Sequence, residues 1–500
     1  MNHIKQLAGQ TAIYGLGTMA PRFLNYALLT PFYTRIFMPG EYGVVTELYA
    51  YVVVLLVILT YGMETGFFRF AEKEKNNEKV FTTALLSLLT TSVAFVLIVL
   101  LFNNKIAGII GYSLNREYII ILSIIISIDA FTAIPFAKLR RENRSLRFVT
   151  IKLINTGVII GLVFFFLYAA PKLLEDGKQN WIEKIYSPEI GVGYVFIANL
   201  VGSIITLILL VPEIFQVKLY FDLKLFKRMV IYSLPLLIAG LGGSINEALD
   251  KIILKHLLPD SGTAIEQVGI YGANFKVAVI MTLFIQMFRY AAEPVLFSKA
   301  KEKNAKELYA DVMKYFVIFC LIIFLGVMMY IEIVKHFIGP EFREALDIVP
   351  IVLVANLFYG IFVNLSIWYK LNDLTKYGAV IVMAGALVTV VINVGFVPEY
   401  GYYASAWAHF FCYLIMVIVS FFWGRKFYKI KYDLVSISVY IGIALFLYFV
   451  SEIINIDSTI GKLGINTIIY LIFIVFIMWK EDLKGLFTRK GLIKKKDRML

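Results

Sequence analysis

The sequence predicts an all-α integral membrane protein in which about fourteen helices cross the bilayer. Of its 500 residues, 60% are hydrophobic and only 17% are charged, and the mean hydropathy is +0.79. Apolar runs long enough to cross the hydrocarbon core recur along the whole chain, and basic residues crowd every second connection between them. The runs must be helices, because an open strand edge in lipid would leave backbone groups without hydrogen-bond partners.

Each predicted span is a stretch of about 20 residues with an apolar majority. The predicted spans lie near 11–36, 43–68, 80–102, 117–137, 148–169, 189–214, 226–252, 267–297, 307–334, 344–369, 375–397, 400–424, 433–451 and 463–479. The gap between the eleventh and twelfth spans is very short, so a single helix there would invert the topology of everything that follows.

The charges of the connections predict the orientation, because Lys and Arg in short loops are retained on the cytoplasmic side. They are concentrated in connections such as KLRRENRSLRF (residues 138–148) and KAKEKNAK (residues 299–306). We therefore predict that both termini are cytoplasmic. The net charge of +13 is then explained by basic residues on the cytoplasmic side, and nucleic-acid binding is not needed to account for it. The basic tail TRKGLIKKKDRML is predicted to contact anionic phospholipids.

An internal repeat with an offset of about 220 residues indicates a duplication. The segment NYALLTPFYTRIFMP (residues 25–39) is similar to NEALDKIILKHLLP (residues 246–259), and FFRFAE (residues 67–72) is similar to MFRYAAE (residues 287–293). The repeat divides the chain into a six-helix lobe at 1–222, a second six-helix lobe at 223–430, two additional helices at 431–482 and a tail at 483–500.

Two repeats with an even number of helices enter the bilayer in the same orientation, related by an axis along the membrane normal. Parallel repeats of this kind build transporters whose substrate lies between the halves, near the midplane. We therefore predict a central cavity between the lobes, with Asn25 and Asn246 on opposite walls.

These features together carry a family resemblance. The six-plus-six-plus-two plan, the segment RIFMPGEYGVV (residues 35–45), the connection KLRRENRSLRF and the lysine-rich tail resemble the Wzx-type polysaccharide flippases. Those proteins belong to the multidrug/oligosaccharidyl-lipid/polysaccharide exporter superfamily, together with lipid II flippases and the multidrug and toxic-compound extruders (MATE transporters). The resemblance implies a protein of the bacterial cytoplasmic membrane that flips an undecaprenyl-pyrophosphate-linked oligosaccharide during O-antigen, capsule or exopolysaccharide synthesis, beside other polysaccharide assembly proteins.

Three basic residues inside predicted spans are candidates for binding the pyrophosphate. Arg22 lies in the first span beside Pro21, and Asn25 shares its helical face. Lys276 and Arg289 lie in the eighth span, about 20 Å apart along its axis. A lone cation at mid-membrane must face water, a counter-ion or a polar ligand, and arginine offers bidentate donors that suit phosphate. The alternative is that these residues neutralise acids inside the bundle.

Four acidic residues also lie inside predicted spans: Glu64, Asp129, Glu247 and Asp250. Intramembrane carboxylates in transporters often carry protons or bind sodium, so they are candidates for coupling to Na⁺ or H⁺. The alternative, which the abundance of nearby basic residues favours, is that they form ion pairs with those residues. Asp129, whose neighbours offer only hydroxyl groups, is the best coupling candidate.

No pattern in the sequence indicates an enzyme, a cofactor or a metal site. The four histidines are scattered, and the glycines of GLGGS (residues 240–244) lack the lysine of a phosphate-binding loop. Three functions remain: a flippase for lipid-linked sugars, whether a polysaccharide repeat unit or lipid II; a cation-coupled drug antiporter of the MATE type; and a scaffold without transport. Buried cations favour an anionic substrate and disfavour the scaffold.

Overall fold

A computed structural model of the chain describes residue 15 and residues 17–74, 76–175, 182–454, 456 and 458–481. Within these residues the chain is almost entirely helical, without a strand. The predicted basic tail at 483–500 and the start of the first predicted span lie outside the described residues. The chain is a multi-pass membrane protein, since 13 of the described helices are long and apolar enough to span a bilayer.

We number the long helices in chain order. The first, α1, is helical over 17–36 and includes Asn25–Leu29 and Thr30–Ile36. The other helices are α2 (Pro39–Lys73), α3 (Asn77–Ile110), α4 (Arg116–Arg141), α5 (Ser145–Glu175), α6 (Gly193–Phe215), α7 (Leu223–Leu257), α8 (Ser261–Ser298), α9 (Ala305–Met329), α10 (Pro340–Leu371), α11 (Thr375–Tyr400), α12 (Tyr402–Phe427), α13 (Leu434–Ile453) and α14 (Thr459–Lys480).

These helices confirm the predicted fold class. The eleventh and twelfth spans are separate helices, joined by Gly401 alone. Gly401 has a φ of +53° and a ψ of −136°, a conformation that glycine adopts far more easily than other residues. A side chain at this position would also collide with Gln267. Gly401 therefore turns the chain between α11 and α12, so these remain two spans and the last three helices keep the order predicted from the sequence.

Packing within the two lobes repeats with a period of six helices. In the first lobe α4 packs on α6, α5 on α6, and α2 on α4; in the second, α10 packs on α12, α11 on α12, and α8 on α10. Helices α13 and α14 pack on each other and on α9. The same helix contacts thus recur in both lobes, and the last two helices attach to the second lobe.

Local backbone irregularities also recur in both lobes. Five-residue π-helical turns interrupt α1 at Asn25–Leu29 and α7 at Ile245–Leu249, almost at the offset of the sequence repeat. The turn after α4 has Asn143 at φ +57°, and the turn after α10 has Asp373 at φ +54°. Since π turns interrupt the regular hydrogen-bond ladder, α1 and α7 are weakened at matching places.

The helices define two ends of the molecule. We call the end with connections 74–76, 142–144, 216–222, 299–304, 372–374 and 428–433 the basic end, and the opposite end the far end. At the far end α2 and α8 cross so closely that no side chain fits between them. A Cβ at Gly43 would lie 2.0 Å from the carbonyl oxygen of Ile265, and one at Gly269 would lie 1.9 Å from that of Pro39. This crossing holds the lobes together at the far end.

Candidate functional site

We use the name cleft for the region between the lobes where Arg22, the mid-span arginine of α1, contacts the second lobe. Its guanidinium Nη1 donates a hydrogen bond of 2.7 Å to Oε1 of Gln286 on α8, so it reaches from the first lobe to the second. The Arg22 side chain is nevertheless exposed, as is Phe23 beside it. Because its only described polar partner is a neutral amide, the positive charge of Arg22 is not compensated by this contact.

Tyr359 of α10 marks the place where charges of three helices converge. Its hydroxyl lies within electrostatic range of Arg22 on α1, Glu247 on α7, and both Arg289 and Glu293 on α8. Glu293 already forms an ion pair with Lys370. Arg289 is half-buried one turn beyond Gln286, and its guanidinium carbon lies 5.6 Å from the ring centroid of Tyr290. Arg22 and Arg289 therefore belong to one cationic region, which we call the arginine station.

A polar patch of the first lobe adjoins the arginine station. Lys152 of α5 lies within electrostatic range of both Arg22 and Asp129, and its ammonium packs 4.1 Å from the ring centroid of Phe136. Asp129 of α4 accepts a hydrogen bond of 2.9 Å from the hydroxyl of Ser203 on α6. The side chains of Lys152 and Asp129 are both half-buried.

A second charged region lies further toward the far end. Lys276 of α8 and Glu247 of α7 are both exposed and interact electrostatically with each other, and Lys276 also interacts with Lys251. Thirteen residues separate Lys276 from Arg289, which turns their side chains to different faces of α8. Glu247 lies within range of both Lys276 and Tyr359, so it links this region, the lysine station, to the arginine station.

The two stations carry an excess of positive charge. Among the residues that the structure describes, no carboxylate lies within the ion-pair distance of 4.0 Å from Arg22, Lys152, Lys276 or Arg289. An uncompensated cation at mid-membrane costs from about 3 to more than 10 kcal/mol, depending on the reference state, unless water or an anion solvates it. Inside a bilayer these cations would therefore need water or an anion around them.

Comparison with known proteins identifies the family. Residues 7–300, more than half of the chain, match the family described as polysaccharide biosynthesis protein. The chain belongs to this family. No curated protein matches the chain.

Solved structures with the same fold include two kinds of transporter. The lipid II flippase MurJ in an inward closed conformation superimposes with a TM-score of 0.72 at 18% identity, covering 94% of this chain and 99% of that one. An inward-facing multidrug resistance MATE transporter of the MOP superfamily superimposes with a TM-score of 0.64 at 16% identity, covering 81% of this chain and 94% of that one. An outward-facing multidrug resistance MATE transporter superimposes with a TM-score of 0.57 at 16% identity, covering 83% of this chain and 93% of that one. This polysaccharide biosynthesis protein thus has a MurJ- and MATE-like transporter fold.

In this polysaccharide biosynthesis protein the two predicted asparagines occupy different environments. Asn25 begins the π turn of α1, is half-buried and has a buried Oδ1 without a described partner. Asn246 is only 3% exposed and lies inside the second lobe, where Nδ2 donates to the carbonyl oxygen of Val382 and Oδ1 accepts from Thr389. Asn246 does not line the cleft as expected, because its amide is held against α11 inside the second lobe, while the neighbouring Glu247 is exposed.

Two of the predicted acids have close basic partners. Glu64 of α2 forms an ion pair with Arg140 of α4 near the basic end. Asp250 is 1% exposed, and its two oxygens contact Nζ of Lys251 at 3.0 Å and the hydroxyl of Tyr271 at 2.6 Å. These contacts favour a structural role, the alternative that the sequence left open, for both acids. The roles of Asp129 and Glu247 remain predictions.

Three residues of the site escaped the sequence analysis. Lys152 follows the basic connection after α4 closely in the sequence, yet it lies two turns inside α5. Its signal was the polar face that it shares with Asn155 and Thr156. Gln286 could have been found from its position one turn before Arg289, whereas nothing local distinguishes Tyr359 from the chain's other tyrosines. The described residues contain no group of three or more His, Cys, Asp or Glu arranged to hold a metal ion.

Proposed function

We propose that this protein flips a polyprenyl-pyrophosphate-linked oligosaccharide across the bacterial cytoplasmic membrane by alternating access, for polysaccharide synthesis. The observation that carries the proposal is the set of basic side chains Arg22, Lys276 and Arg289, which lack an ion-pair partner among the described residues. A pyrophosphate is a compact anion that would compensate these charges while it crosses the low-dielectric region.

The arginine station is the proposed pyrophosphate site. Arg22 and Arg289 provide planar guanidinium groups from opposite lobes, and guanidinium donors match phosphate oxygens bidentately. Because Arg22 already contacts the second lobe through Gln286, an anion held there would touch both lobes. Substrate binding would then bias the relative position of the lobes, which alternating access requires.

The basic end is proposed to face the cytoplasm, since it carries the connections rich in Lys and Arg. In this orientation the far end, closed by the crossing of α2 and α8, faces outward. The structure would then correspond to a state that is closed on its outer side. Membership in the polysaccharide biosynthesis family and the shared fold with MurJ support the substrate class, while a MATE-like antiporter would instead need a cleft that attracts organic cations.

The test uses purified protein in liposomes that contain a fluorescent undecaprenyl-pyrophosphate-linked oligosaccharide. We expect the wild type to move this lipid between leaflets. Arg22→Ala should lower the initial rate by about ten- to a hundredfold, because one charge-assisted contact of about 1.5–3 kcal/mol is lost. Arg22→Lys should recover only part of the rate, since an ammonium keeps the charge but lacks the guanidinium fork.

Lys303→Ala provides the matched control, because Lys303 is exposed in a connection of the basic end, away from the cleft. It should transport at the wild-type rate. Lipid II and a fluorescent organic cation are tested in parallel, and preferential movement of the cation would favour the antiporter. Unchanged oligosaccharide transport by a folded Arg22→Ala protein would refute the proposed role of Arg22.

A further inference from the structure

Besides the crossing of α2 and α8, two contacts that mirror each other in the repeat join the lobes at the far end. In each, the last turn of one lobe's first helix docks on a connection of the other lobe. Thr34 and Arg35 at the end of α1 dock on connection 335–339, and Lys255 near the end of α7 docks on connection 110–112. Thr34 and Lys255 are about 220 residues apart, which is the offset of the sequence repeat.

The contact made by α1, the α1 clasp, involves mainly backbone. The Thr34 Oγ1 accepts a 3.0 Å hydrogen bond from the backbone N–H of Gly339, and the Arg35 guanidinium donates to the carbonyl oxygen of His336. A Cβ at Gly339 would lie 1.8 Å from the carbonyl oxygen of Thr34. The approach is thus as close as the two backbones allow, and neither of these hydrogen bonds involves a carboxylate.

The contact made by α7, the α7 clasp, is ionic and buried. The Lys255 ammonium lies 2.7 Å from Oε2 of Glu47 on α2, donates to the carbonyl oxygen of Ile110 at 2.8 Å, and packs 3.9 Å from the ring centroid of Tyr112. The Tyr112 hydroxyl donates to the same Glu47 oxygen. Burial and the neighbouring Glu47 carboxylate raise the pKa of Tyr112, so this donor stays protonated.

The two clasps respond differently when the lobes part. Glu47 is fully buried, its Oε1 lacks a hydrogen-bond partner among the described residues, and the Tyr51 hydroxyl lies close to the same carboxylate. Lys255 is the basic side chain within ion-pair distance of Glu47, so it provides the charge that compensates the buried carboxylate. If either Glu47 or Lys255 is neutralised, the remaining charge is buried without its partner while the far end is closed. When the lobes separate, water can solvate that charge. Loss of one charge therefore favours the open far end over the closed one.

From this arrangement we propose that Glu47 and Lys255, bridged by Tyr112, form the latch that keeps the far end closed and sets the balance between the two access states. The inference rests on the proposed function for the alternating movement, but not for the identity of the substrate. The latch is therefore the α7 clasp, while the α1 clasp contributes close backbone packing without a buried ion pair.

The test measures access to the cleft in the absence of transport. Gly243 on α7 lies one turn before Glu247 and is exposed, and a Cβ added there would have nothing within 4 Å, so Gly243→Cys is a suitable reporter. The native cysteines, Cys320 and Cys412, are buried and should give little background. A membrane-impermeant thiol reagent is applied to intact cells and, separately, to inverted membrane vesicles.

We expect Glu47→Gln and Lys255→Met each to raise the labelling rate from the side that the far end faces by about tenfold or more, and to lower it from the other side. The exchanged pair, Glu47→Lys with Lys255→Glu, should return both rates toward those of the reporter alone. Lys184→Met, a change of an exposed lysine near the far end, should leave both unchanged.

Opposite changes on the two sides distinguish a shifted balance from a loosened fold, which would raise labelling from both sides. Unchanged labelling in both single variants would overturn the latch. An equal rise on both sides, or an exchanged pair that labels as fast as the single variants, would overturn it too. None of these outcomes depends on which lipid is carried, so failure of the proposed function would leave this result interpretable.

Discussion

Replacing Gly269 by alanine would place a methyl group inside the crossing of α2 and α8. The added Cβ would lie 1.9 Å from the carbonyl oxygen of Pro39 and 2.9 Å from the amide nitrogen of Gly43. Carbon and oxygen atoms in close contact need about 3.3 Å. The two helices would therefore have to separate by roughly 1.4 Å at this point.

The expected cost follows from what the methyl group meets. Overpacking a core commonly costs about 1–3 kcal/mol, and flexible side chains absorb part of the strain by changing rotamer. Here the obstacle is backbone, so we expect a loss of about 3 kcal/mol. Gly157→Ala in α5 is the matched control, because a Cβ at Gly157 has nothing within 4 Å. Alanine there should gain about 0.5–1 kcal/mol from helix propensity.

The assay is thermal unfolding of purified protein, followed with a dye that fluoresces on reacting with thiols. Both cysteines of the chain, Cys320 and Cys412, are 0% exposed, so the signal reports opening of the core. Gly269→Ala should unfold at least a few degrees below the wild type, and Gly157→Ala at the same temperature or slightly above. If Gly269→Ala were as stable as Gly157→Ala, the close crossing of α2 and α8 would be refuted.

Three further predictions concern charges. Lys152→Met should lower the unfolding temperature, because it leaves the Asp129 carboxylate without a nearby cation, and Asp129→Asn in the same protein should restore it. Thermal unfolding with the thiol dye measures both variants. A double variant that is no more stable than Lys152→Met would show that the two residues do not interact. Hydrogen bonds from Lys79 and from backbone N–H groups lower the pKa of Asp222 below its ordinary value. The stability that Asp222 contributes is present above its ordinary pKa and is lost as pH falls through its lowered pKa. The difference in the free energy of unfolding between the wild type and Asp222→Asn should therefore shrink between about pH 5 and pH 3. An impermeant thiol reagent should label a cysteine replacing Arg144 in inverted vesicles only, and labelling in intact cells would reverse the proposed orientation.

The polar contacts within the membrane explain why sequence reasoning located some site residues and missed others. Arg22 was conspicuous because a mid-span arginine has few explanations. Lys152 was not, since a lysine two turns inside a helix looks like part of the adjoining basic connection. The closeness of Asn246 to Val382 and Thr389 could not be foreseen either, because these partners lie 136 and 143 residues away along the chain.

The sequence by itself determined the helices, their order and their duplication. Each span depends only on the local length of apolar chain that a bilayer requires, and the repeat is visible as similarity between segments. Only the tertiary structure decided which charges pair and where the lobes meet. Glu47 and Lys255 are 208 residues apart, and Thr34 and Gly339 are 305 apart. Such contacts depend on the angle at which two lobes pack, which many distant residues set together and no local pattern records.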